Sequence, residues 1–201
     1  LPGSESRHFV FSQGVRDLEA VVAHLRDAPE WGVSKVVVVS FSAAAIEVRK
    51  AVARDQGATI DGWVSVVGSP DLQSMSRSIS GGVDFVAGHE LGLEFGLQEL
   101  LGVTLDVDRV VEDAEVHAMS FIEDSGRDLA EINIPITWFH GRYDAWVDLG
   151  RVQNILSHGD TSRRRLVVMP TGHQLRSSRQ ASQAFQCIAQ EVGRMARGRE
   201  L

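Results

Sequence analysis

A serine, an aspartate and a histidine are the residues best placed to do chemistry. Each stands just after a short apolar run. Ser42 follows the valines of "KVVVVSFSAAAIEV" (35–48), Asp144 follows "PITWFHG" (135–141), and His173 follows "RRLVVMP" (164–170) in the loop "TGHQL". A serine hydroxyl is a weak nucleophile until a base takes its proton, and histidine suits that task near neutral pH. A carboxylate on the other ring nitrogen fixes the tautomer and stabilises the imidazolium. In that assignment Ser42 attacks, His173 moves the proton and Asp144 orients the ring. Singly, each has a plainer reading: a helix cap, a turn former and a surface loop residue. Type, chain order and position together favour the triad.

The abrupt turn from valines to alanines has a use if Ser42 is the nucleophile. It thrusts the hydroxyl outward, sets it at a helix N-terminus, and aims the Ala43 N–H at the future oxyanion. Strand and helix must then approach closely, so the flanking residues must be small. Ser40 and Ala44 occupy those places, where glycines are usual. Ser40 is a weaker second candidate for the nucleophile.

Those three side chains need elements to carry them. Apolar spacing predicts helices over 15–28, 43–57 and 178–196. Strands are expected at 7–11, 35–40, 60–70, 135–141 and 164–170. Their apolar runs are continuous, as in strands buried on both faces. The alternation implies an α/β fold with a mostly parallel sheet and helices on both faces. Ligands bind such sheets beyond the strands' carboxyl ends. The order Ser, Asp, His, each after a different strand, is that of an α/β-hydrolase. Residues 71–130 break the rhythm and contain no convincing strand. They read as a helical lid inserted into a single domain spanning 1–201. Val83, Phe85, Leu91, Phe95 and Leu100 among its apolar residues either line an acyl site or pack the lid down.

Composition narrows the partners. The 201 residues are 43% apolar and carry a net charge of −7, which argues against nucleic acid. The single cysteine, Cys187, excludes an intrachain disulfide and suits a reducing, cytoplasmic setting; it reads as a small core residue. No run approaches the roughly 20 apolar residues of a membrane span. No histidine pair has metal-site spacing, and no glycine-rich phosphate loop follows a strand, so no metal or cofactor is expected. His140 could line the site, though a core place suits it better. Asp106, Asp108, Glu112 and Asp113 are expected on a solvated face. The run "SRRRL" (162–166) is either a solvated turn or a contact for an acidic carrier protein.

The elbow "VSFSAAAIEV", the turn "GGVDF" (81–85), the acid segment "GRYDAWV" and the loop "TGHQL" resemble the bacterial bioluminescence acyl-transferase/thioesterase family, which acts on myristoyl-ACP. The resemblance spans roughly residues 7–190. It implies an acyl-enzyme on Ser42, formed from a fatty acyl thioester (acyl-ACP or acyl-CoA) or an ester and released to water or another acceptor. That family has further strands, and a loop giving a second oxyanion N–H, ahead of the region where this sequence opens. The expectation is an N-terminally incomplete hydrolase, completed by a separate segment or lacking one donor. Two other readings stand beside it: a general carboxylesterase on small esters, and a non-catalytic hydrolase-like binding scaffold.

Overall fold

The computed structural model describes residues 6–175 and 178–198. The first five and last three residues of the sequence lie outside that description. The chain runs α1 (Phe11–Asp27), β1 (Val37–Phe41), α2 (Ala44–Asp55), β2 (Gly62–Val66), α3 (Leu72–Ile79), α4 (Phe85–Glu90), β3 (Leu97–Leu100), β4 (Val103–Asp106), α5 (Val107–Val116), α6 (Ile122–Glu131), β5 (Ile136–Gly141), α7 (Leu149–Leu156), β6 (Arg164–Met169) and α8 (Ser178–Ala196). The strands β1, β2, β5 and β6 pair in that order, all parallel. Their carboxyl ends therefore share one edge of the sheet.

Side chains alternate across the sheet and so build two cores. Trp63, Ile136 and Trp138 face one way, onto α1, α2, α6 and α7. Val64, Val66, Phe139 and Met169 face the other way, onto α8. The central strands β2 and β5 are buried throughout. The valine run of β1 departs from the expectation of burial on both faces: β1 lies at an edge of the described sheet, and Val39 and Phe41 are partly exposed.

A third core joins α1 and α2 to the insertion, through Phe11, Val15 and Ile46 against Phe85, Val110 and Val111. The insertion holds helices, as expected, and also a two-stranded antiparallel hairpin, β3–β4, which was not. Its turn places Leu101 (φ 54°) and Gly102 (φ 80°) in left-handed conformations. Asn-Gly or Asp-Gly would announce such a turn, and Leu-Gly does not.

The run "RHFVF" is not a strand. Ser6–His8 forms a short 3-10 turn, and α1 begins at Phe11. Asp113 of α5 accepts hydrogen bonds from the Ser12 N–H (2.9 Å) and hydroxyl across 101 residues. The acceptor that starts this helix is therefore invisible in the local sequence. Asp113 is thus not a bystander on a solvated face. Asp108 likewise accepts from the Phe95 and Gly96 N–H groups (2.8 and 2.7 Å), and Asp106 caps α5. Of the four, Glu112 is exposed and the three aspartates are half-buried. Cys187 is exposed on α8 rather than in the core, because the buried stripe runs through Ala184, Ile188 and Met195. Among the described residues no helix is long and apolar enough to cross a membrane.

Candidate active site

Ser42 lies one residue past β1, with φ 52°. A non-glycine residue there costs about 1–2 kcal/mol, so its surroundings must impose it. They do so on both sides. The Ser42 N–H donates to Val66 O (3.1 Å), and the Ser42 carbonyl accepts from the Ser69 N–H (3.0 Å). Beneath the turn, a Cβ on Gly68 would fall 2.2 Å from Ser65 Oγ and 2.7 Å from Ala45 Cβ. Only glycine fits that approach. Ser40 is 2% exposed, and its hydroxyl accepts the Trp63 indole N–H at 2.9 Å. Its role in this structure is to satisfy a buried tryptophan.

Asp144 and His173 sit on two loops tied to each other. The Arg142 N–H donates to Met169 O (2.7 Å) and the Tyr143 N–H to Thr171 O (3.0 Å). Gly141 permits this closeness, since a Cβ there would meet Thr171 O at 2.6 Å. The loops bring the expected residues together. Ser42 Oγ lies 2.7 Å from His173 Nε2, and His173 Nδ1 lies 2.9 Å from Asp144 Oδ2. The other Asp144 oxygen accepts from the N–H groups of Trp146 (2.9 Å) and Val147 (3.0 Å). The Ala43 N–H has no partner among the described residues, and Ala43 lines the same cavity as Ser42.

Charge in this group is set by burial and by partners. Burial pushes the Asp144 carboxyl up, but its hydrogen bonds from His173, Trp146 and Val147, with the imidazole charge, outweigh that and hold it below the usual carboxylate range. His140, 2% exposed at the end of β5, is a core residue whose Nδ1 has no partner among the described residues. Burial lowers its pKa; Asp144 and Asp148 oppose this, and His173 adds to it.

Ser42 and His173 open onto a cavity of about 980 Å³. Leu72, Met75 and Ile79 line it from one face of α3, and Phe85, Val107 and Val110 from the rest of the insertion. Part of the expected apolar set is elsewhere: Leu91 is 81% exposed and turned away. Residues from 6 to 14 also line the cavity, a contribution the sequence did not announce.

Glu47 was missed from sequence as well. It lies on the cavity wall one helical turn beyond Ala43. Its carboxyl rests against Gly14 of α1, where a Cβ would come within 2.4 Å of it. Burial first, then the charge of Asp17, raises its pKa from 4.5 to about 7. The folded state therefore keeps this proton at pH values where the unfolded chain has lost it. Stability tied to Glu47 is fully present below about pH 4.5 and is lost as pH rises through 7. The size is at most roughly 3 kcal/mol. Glu47→Gln should flatten that fall, so urea midpoints of variant and parent should diverge at pH 8 and converge near pH 4. Parallel curves at both pH values would contradict this.

The remaining charged groups named from sequence are engaged within the chain. Arg163 pairs with Asp160 (3.2 Å), Arg164 donates to Ile134 O (2.9 Å), and Arg165 pairs with Glu191 (3.1 Å). Among the described residues no three His, Cys, Asp or Glu side chains gather as metal ligands.

No protein-family model and no curated protein sequence matches the chain. Solved structures do match it. Est1E from Butyrivibrio proteoclasticus aligns with a TM-score of 0.73 at 13% identity, over 93% of this chain and 71% of that one. A Paleococcus ferrophilus monoacylglycerol lipase gives 0.68 at 11% identity, over 94% and 76%. The esterase domain of a Rhodothermus marinus protein gives 0.61 at 13%, over 90% and 68%. Likeness at such low identity is likeness of fold, and the chain has the α/β-hydrolase fold.

Proposed function

We propose that the chain is a serine acyl hydrolase that forms an acyl-enzyme on Ser42. The observation that carries this reading is the continuous hydrogen-bonded run Ser42–His173–Asp144, at 2.7 and 2.9 Å, opening onto a largely apolar cavity. His173 Nε2 takes the Ser42 proton as Oγ attacks the acyl carbon. The Ala43 N–H donates to the oxygen on which charge develops. Asp144 holds the Nδ1 proton and stabilises the imidazolium. The imidazolium then protonates the leaving group, and a water or alcohol activated by His173 releases the acyl group.

The cavity is at the large end of the range for small-molecule sites. With its apolar walls it suits a fatty acyl chain, delivered as an ester or as a thioester of coenzyme A or a carrier protein. Transfer to an alcohol in place of water would make the same chain an acyltransferase. The smaller-substrate alternative draws support from Est1E, a structural neighbour solved with ferulic acid bound.

The test is hydrolysis of p-nitrophenyl esters from acetate to myristate, together with acetyl- and myristoyl-coenzyme A. The proposal expects kcat/KM to rise with chain length. A preference for acetate would point to a small-ester carboxylesterase. A folded protein inert to all of them and to a fluorophosphonate would be a binding scaffold.

A further inference from the structure

Trp146 touches two members of the Ser42–His173–Asp144 group at once. Its indole lies 4.6 Å from the His173 imidazole, centroid to centroid, with the planes tilted by 39°. Its backbone N–H donates to Asp144 Oδ1 at 2.9 Å. Trp146 also lines the cavity, beside Ser42 and His173.

The chemistry of that place is demanding. The His173 side chain is only 8% exposed, and that of Asp144 is fully buried. When Ser42 gives up its proton, a cation forms on a ring largely removed from water. Asp144 answers that charge at Nδ1, in the plane of the ring. Among the described residues Asp144 is the one carboxylate bonded to the imidazole, and the nearby His140 would repel the cation if it were charged. An aromatic face within about 6 Å of a cation attracts it, more strongly where water is scarce.

Resting on the serine hydrolase reading above, we propose that Trp146 is a positioning residue for the triad. Its indole stabilises the His173 imidazolium through its π face and holds the ring at the tilt that aims Nε2 at Ser42. Its backbone fixes the carboxylate from the other side. The sequence shows an aromatic two residues after the acid, but nothing in it shows that the ring folds back onto the histidine.

Two variants of the full chain separate this role from space-filling. Trp146→Phe keeps a π face, whereas Trp146→Leu keeps apolar bulk alone. The readout is the rate of covalent labelling by a fluorophosphonate across pH 5 to 9. Trp146→Leu should label about two- to thirty-fold more slowly, the span of a cation–π contribution expressed as rate. Its acid limb should also move to lower pH, because the imidazolium has lost a stabilising partner. Trp146→Phe should recover most of the rate and the parent acid limb. Among the described residues, the ionisable groups near the imidazole, Asp144 and His140, and Glu47 on the wall of the same cavity are the same in each variant. Equal rates and unmoved acid limbs in the leucine and phenylalanine variants would overturn the proposal while leaving the hydrolase reading intact. A folded parent protein that takes no label at any pH would overturn both.

Discussion

Ser42→Ala should lower ester turnover by at least about 10⁴-fold and abolish labelling by a fluorophosphonate. Among the described residues no other hydroxyl or thiol is hydrogen-bonded to His173. Ser40 is buried and bonded to Trp63, whereas Ser42 has its oxygen on His173. The alanine variant should fold as the parent does. It keeps the positive φ of 52°, with the same strain, and among the described residues the hydroxyl's one partner lost is the imidazole. Turnover is to be measured with a long-chain p-nitrophenyl ester, and folding by urea denaturation. A variant with parent turnover would move the chemistry to another residue.

Asp144→Asn should be nearly as costly, about 10⁴-fold in kcat. The amide can donate to His173 Nδ1, which favours the tautomer with its proton on Nε2. That nitrogen then cannot accept from Ser42. The fold favours the charged carboxylate, since its partners outweigh its burial, so the neutral amide should also cost some stability at neutral pH. The other oxygen's bonds from the Trp146 and Val147 N–H groups can persist if the amide oxygen takes that side. Single-turnover acylation separates this effect from substrate binding: acylation should slow while KM changes little. A loss confined to KM would mean that Asp144 shapes the pocket and does not act through His173.

These expectations rest partly on what the sequence made legible. The parallel sheet was readable because β2, β5 and β6 are apolar runs separated by helical spacing, and nothing long-range is needed to recognise them. The meeting of Ser42, Asp144 and His173 was inferable because all three follow strands of one direction. Three features were hidden for definite reasons. The start of α1 depends on Asp113, which is distant in sequence. The β3–β4 hairpin turns on Leu101-Gly102, a weak turn signal. Glu47 had no signal in its own segment, because its neighbour Gly14 belongs to another helix. Gly14 itself fell outside the helix expected over 15–28, and only the observed start of α1 at Phe11 places it within one.

Cys187 shows the opposite failure. An apolar neighbourhood in sequence suggested the core, yet a helix of this length has a narrow buried stripe, and a residue one position off it faces solvent. The same periodicity that located α8 could have placed Cys187 outside, had the stripe been phased on Ala184 and Ile188.

The most direct measurement is intact-protein mass spectrometry after mixing the chain with p-nitrophenyl myristate and quenching in acid, followed by peptide mapping. The account predicts a single added acyl group, on the peptide bearing Ser42, absent from Ser42→Ala. An acyl group on any other residue, or none on folded protein that turns the ester over, would contradict it.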